Sequence, residues 1–207
     1  MVSFLPLGDD EAENSKTGHI DALFRFSLET LTVSAAGFEP SGTVGMCVKD
    51  ITGSAAQNAL DELNTHFSKE DEKENPETEF LRDSQAFRWI VFRTSPYNFD
   101  RNVSAVNFVL RTLIDYESAD SIVAVLYEVT TPANQSAYIV YSTKSNGYYP
   151  FAPSPEHEHV RDTQLEGDIH DVLTETGVKI VTDKDSWHPL WPPEPHLKPW
   201  GLDNKRS

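Results

Sequence analysis

Ser121-Ile122-Val123-Ala124-Val125-Leu126-Tyr127-Glu128-Val129, Thr131-Pro132-Ala133-Asn134-Gln135 and Ala137-Tyr138-Ile139-Val140-Tyr141-Ser142 form the stretch that decides the fold. Two runs rich in β-branched and aromatic residues flank a short polar segment, which reads as strand, loop, strand. A loop this short predicts an antiparallel pair. Ser145-Asn146-Gly147 makes a second tight turn, because Asn-Gly tolerates positive φ, and leads into a short strand at 148–151.

Moving upstream, Asp100 can cap a helix whose apolar face is Val103, Val106, Leu110, Leu113 and Ile114. Phe87–Arg93 reads as a central strand. Ala56, Leu60, Leu63 and Phe67 recur at helical spacing, which predicts a helix over 54–67. Residues 30–35 and 43–51 read as strands around a Gly37–Gly42 turn, and Thr17 as the N-cap of an opening helix over 18–29. Ile20, Leu23, Phe24 and Leu28 mark one face of that helix. Moving downstream, Ser154-Pro155-Glu156 carries N-cap, N1 and first-turn chemistry in order, so a helix over 156–176 is expected. Leu165, Ile169, Val172 and Leu173 share its face, Gly177 is its stop, and 178–181 reads as a last strand. Strands run mostly as hairpins, so the expected class is α+β, an antiparallel or mixed sheet flanked by helices.

A chain of 207 residues fits one domain with tails. Residues 1–16 read as an acidic disordered tail, 17–193 as the single α+β domain and 194–207 as a C-terminal tail. The stretch 68–79 holds six acids, two lysines and no apolar side chain, and reads as a solvated loop within the domain. A formal charge of −16 excludes nucleic acid and anionic lipid as partners, since both need clustered Lys or Arg. No apolar run approaches the ~18 residues of a membrane span, and the N-terminus lacks a signal region, so the expected place is the cytoplasm without membrane insertion. Cys47 stands alone within Val44-Gly45-Met46-Cys47-Val48 and reads as a small buried hydrophobe.

Motifs for chemistry are scarce. There is no G-x-S-x-G elbow, P-loop or G-x-G-x-x-G, and no cofactor is expected. His157, His159 and His170, with Glu166, are the best candidates for a metal site in a metal-dependent hydrolase. Against them, His157 and His159 would stand about 200° apart on a helix, and a solvated acidic helix start explains them more simply. Carboxylate pairs such as Asp162 with Glu166, or Asp115 with Glu117, arise by chance among 33 acids. The C-terminal quarter is denser in information. Trp187, Trp191 and Trp200 stand among five prolines. Residues 186–193 read as a strap whose rings plug grooves on the domain, with a polyproline ligand at Pro192-Pro193-x-Pro195 as the alternative.

Leu23-Phe24, Gly37-Phe38-x-Pro40-x-Gly42, Asn107, Tyr149-Pro150-Phe151-Ala152-Pro153, Arg161-Asp162, Glu166 and Trp187-x-Pro189-Leu190-Trp191 resemble, in order and spacing, the PspAB-like family of prokaryotic proteins. The resemblance covers about 17–193; the acidic stretch 68–79 and the extension after 193 depart from it. It implies a link to the phage-shock protein A system, with PspA-like and HtpX-like envelope-stress proteins as partners, and carries over no catalytic residue. The element order is also similar to the secretion-chaperone-like α+β fold, a likeness of fold alone. The resulting expectation is a non-enzymatic cytoplasmic adaptor or regulator that binds a protein. Its expected partner-binding residues are Tyr149, Phe151, Arg161, Asp162, Glu166, Trp187 and Trp191. The alternatives are the metal-dependent hydrolase and a secretion-chaperone-like, ligand-binding homodimer.

Overall fold

The computed structural model describes residues 9–49, 53–68, 75–83, 87–191 and 198–201. Within them the chain runs α1 (Asp9–Ala35), β1 (Glu39–Lys49), α2 (Ser54–Phe67), β2 (Glu77–Arg82), β3 (Phe87–Arg93), α3 (Phe99–Asp115), β4 (Ile122–Thr130), β5 (Ser136–Ser142), β6 (Gly147–Phe151) and α4 (Thr163–Thr174). Short 3-10 turns at Pro96–Asn98, Ala119–Ser121 and Lys184–Ser186 join them. The strands form one six-stranded sheet in the order β2-β3-β1-β4-β5-β6, and each neighbouring pair is antiparallel. The fold is α+β.

The β4–β5 hairpin sits where its sequence puts it, with Leu126 opposite Val140. Its near-continuous apolar run has a physical cause: both faces of the sheet are covered. Met46, Val48, Ile90, Phe92, Val125, Tyr127, Ile139 and Tyr141 point to one face, under α1 to α4. Cys47, Trp89, Val91, Ala124, Leu126, Tyr138, Val140, Tyr149 and Phe151 point to the other. No helix covers that second face among the described residues; Val181, Trp187 and Trp200 of the C-terminal segment do.

Besides β1, which starts at Glu39 inside the expected Gly37–Gly42 turn, four boundaries differ from expectation. The strand expected over 30–35 is the end of α1. β-branched Thr30, Thr32 and Val33 look like strand, but Phe26 and Val33 share a buried helical stripe. The helix stops in a Schellman turn: Phe38 N–H donates to Val33 O at 3.1 Å and Gly37 N–H to Ser34 O at 2.9 Å. At its other end α1 starts at Asp9 rather than after Thr17, so 9–16 of the expected acidic tail lie in the helix. Second, β2 was not legible, and it takes 77–79 from the expected acidic loop. It is a charged edge strand, with Phe80 opposite Ile90 and Glu79 paired to Arg93 at 2.8 Å. Third, α4 begins at Thr163, not 156. Asp162 is its cap, accepting from Leu165 N–H at 3.0 Å, while 155–159 is an exposed turn with His159 at φ 52°. Fourth, 178–181 is a single parallel bridge rather than a strand: Tyr148 N–H donates to Lys179 O and Val181 N–H to Tyr148 O, both at 2.8 Å. In α3, Asp100 lies in the first turn and Asn98 holds the cap position.

Residues 1–8, 69–74, 192–197 and 202–207, with parts of both expected tails, the acidic loop and the Pro192-Pro193-x-Pro195 segment, lie outside the described residues, as does Ile51 of the strand expected over 43–51. So do the side chains of Ile20 and Phe24. Among the described residues no helix is long and apolar enough to cross a membrane.

Candidate functional site

The seven residues singled out from the sequence come together at one end of the sheet. Tyr149 and Phe151 project from β6 onto the second face, where Trp187 stacks on Tyr149 at 6.3 Å and Trp191 meets Phe151 edge-on at 5.3 Å. Arg161 joins all the parts. Its Nε donates to both Glu166 oxygens at 2.7 and 3.0 Å, and its Nη1 donates to Trp187 O at 2.9 Å. Its guanidinium lies 5.8 Å from the ring centres of both Phe151 and Trp187. Glu166 also accepts Ala152 N–H at 2.9 Å, so its charge is met on two sides. Asp162 spends its carboxylate on the cap of α4, with Gln135 Nε2 at 3.3 Å from its other oxygen.

This knot is closed. Tyr149, Phe151, Glu166 and Trp187 are 2%, 0%, 3% and 5% exposed, and Trp191 and Arg161 are half-buried. Trp187 Nε1 donates to Val181 O at 2.8 Å and Tyr149 Oη to His188 O at 2.8 Å, so the polar tips are satisfied internally. The side chains therefore hold the chain after α4 against the sheet. The same segment is pinned again further along. Trp200, expected on a loose tail, is buried against Trp89 and Tyr138, at 6.1 and 5.8 Å between ring centres. Lys198 donates to buried Glu128, which also accepts Ser41 Oγ at 2.8 Å.

The metal alternative lacks a ligand set. Among the described residues no three His, Cys, Asp or Glu side chains stand together as one. His157 is exposed, His159 faces Trp191 at 5.5 Å, His170 faces Trp187 at 5.5 Å, and Glu166 is bound to Arg161. Cys47 is buried, and burial, with Asp83 adding to it, pushes its thiol up to about 12.

The open surface lies elsewhere, between α1 and α3. Leu28, Leu31 and Tyr97 are 66%, 82% and 97% exposed, and they border a groove of about 720 Å³. Leu28, assigned from periodicity to the buried face of the opening helix, points outward instead. Phe99, Val103 and Asn107 of α3 line the groove as well. Asn107 carries a buried side-chain oxygen with no partner among the described residues. The groove wall is set by a kink in β1. Gly42 has φ +85°, and a Cβ there would stand 2.3 Å from Thr94 O, so only glycine fits. Fully buried Asn102 donates to Gly42 O at 2.7 Å and Thr94 N–H donates to the same oxygen at 2.9 Å. Those two bonds place the Pro96–Asn98 turn, and Tyr97 with it, on the groove edge. Sequence reasoning missed this surface because Leu28 was assigned to the buried face, Leu31 sat in a presumed strand and Tyr97 in an unassigned loop; Leu31 and Tyr97, which belong to no apolar face of the pattern, were the available signal.

One comparison with known proteins bears on the chain. The family model described as PspAB, PspA associated protein B, matches residues 2–200. No curated protein matches the chain, and no solved structure matches it.

Proposed function

The chain belongs to the PspAB family of PspA associated proteins, and from that premise we propose a non-enzymatic cytoplasmic adaptor or regulator that binds a PspA-type protein in envelope stress. The observation that carries the reading is the α1–α3 groove, bordered by exposed Leu28, Leu31 and Tyr97 on a chain of net charge −16. Large apolar side chains grouped at a concave surface suit a protein contact, where aromatic and aliphatic anchors contribute most of the affinity. The knot around Arg161 serves that surface indirectly, by holding the sheet closed behind it. An HtpX-type membrane protease is the second partner class within the same reading.

The test is a capture from native cells with the full chain as bait, using wild type, Leu31→Asp and Trp187→Ala side by side, with partners identified by mass spectrometry. A PspA-type protein should be enriched by wild type, lost with Leu31→Asp and retained by the folded fraction of Trp187→Ala. Enrichment of an HtpX-type protease instead would change the partner. Capture of neither would remove the adaptor reading.

A further inference from the structure

We infer that the groove takes an amphipathic helix whose apolar stripe is flanked by basic residues; this rests on the adaptor reading of the same groove. Ser27 to Ser34 of α1 and Phe99 to Asn107 of α3 form its two walls. At 1.5 Å per residue those walls are roughly 11–12 Å long, which matches two turns of a docked helix. A helix would offer three or four side chains at i, i+3, i+4 and i+7, and Leu28, Leu31 and Tyr97 present apolar contacts along that length.

Charge selects among occupants. Among the described residues, the charged groups lining the groove are Glu39 and Asp100, both acidic. A second copy of this chain would set those carboxylates against a surface of the same sign, with −16 on each body. Lysines or arginines beside an apolar stripe would meet them with opposite charge.

The experiment uses the full chain and three labelled synthetic peptides: a helical Leu/Lys peptide, the same peptide with Lys→Glu throughout, and a scrambled Leu/Lys peptide. Binding is read by fluorescence anisotropy at low and high salt. The helical Leu/Lys peptide should bind about tenfold or more tighter than the other two, and more weakly in high salt. Leu31→Asp should abolish its binding although the change adds negative charge, which separates groove docking from general attraction to an acidic protein. Because Leu31 is 82% exposed, the variant should keep the wild-type circular dichroism and melting temperature. Tyr97→Ala provides a second variant with the same expected loss. Equal binding of the three peptides, no binding, or full binding by Leu31→Asp would overturn the inference. So would wild-type self-association that Leu31→Asp abolishes, since that gives the groove to a second copy. Capture of a PspA-type protein without peptide binding would remove the helix and leave the adaptor standing.

Discussion

Arg161 is the residue on which the closed side of the protein depends. It joins α4, β6 and the segment after Lys184 through Glu166, Trp187 O and two aromatic faces. Removing one partner of a buried pair leaves the other charge uncompensated, at a cost of about 3–5 kcal/mol. Glu166 keeps 4% of its side-chain exposure but Arg161 keeps 20%, so solvent screening puts Arg161→Ala at the low end, about 3 kcal/mol. Arg161→Lys should recover only part of this, because an ammonium cannot reproduce the planar fork. Urea unfolding of both variants decides it; a loss below about 1 kcal/mol would show that water replaces the pair freely. Trp187→Ala, at 5% exposure, should cost about 3–5 kcal/mol in the same assay. The structure brings these residues together, while the sequence reading, which named them as partner-binding candidates, could not assign their direction, because a buried aromatic anchor and an interface aromatic have the same composition. Only the internal acceptors, Val181 O for Trp187 and His188 O for Tyr149, distinguish them.

At the level of elements, the legible parts were those with strong periodicity or unambiguous turns. The β4–β5 hairpin, the Asn146 turn at φ 44°, α2 and α3 follow from local pattern alone. The illegible parts were decided by partners distant in sequence. Nothing in Glu77-Thr78-Glu79-Phe80-Leu81-Arg82 alternates cleanly, and β2 exists because β3 offers it an open edge. Ser154-Pro155-Glu156 imitates a helix start but is overruled by Asp162, whose cap coincides with the Arg161–Glu166 anchor. The C-terminal strap, too, is a tertiary element. Trp200 packs directly over Gly45, where a Cβ would lie 2.5 Å from its Cε3. Gly45→Ala must therefore displace the indole ring, and about 1–3 kcal/mol of overpacking cost is expected. Trp200→Ala removes the same contact by another route. In a double-mutant cycle the two losses should be strongly non-additive, with the double variant close to Trp200→Ala alone. Simple additivity in urea unfolding would mean that Trp200 does not sit over Gly45 in solution.

The described residues of the molecule form one sheet buried on both faces, and this places ionisable groups where water cannot reach them. Cys47 lies under the strap, and burial pushes its thiol up to about 12 from 9.0. Burial likewise raises the hydroxyls of Tyr127, Tyr141, Tyr148 and Tyr149 above their ordinary 10.0. Tyr127, Tyr141 and Tyr148 form one cluster beneath the helices, and Tyr149 faces the strap. At neutral pH every one of these groups is protonated in both the folded and unfolded chain, so they add no pH dependence there. Above 9.0 the unfolded chain releases the Cys47 proton and above 10.0 the tyrosine protons, while the folded chain holds them. The folded state then binds more protons than the unfolded state, so stability falls as pH rises. The expected outcome is a melting temperature level from neutral pH to about 9 and falling steeply beyond it. Cys47→Ala should start falling nearer 10.0, where the tyrosines begin. Thermal unfolding across that range, with thiolate absorbance followed in parallel, tests both parts. A native thiol that ionises near 9.0 would show that water reaches the second face of the sheet and that the strap does not seal it, and a melting temperature that stays level past 10.0 would show that water also reaches the tyrosine cluster beneath the helices.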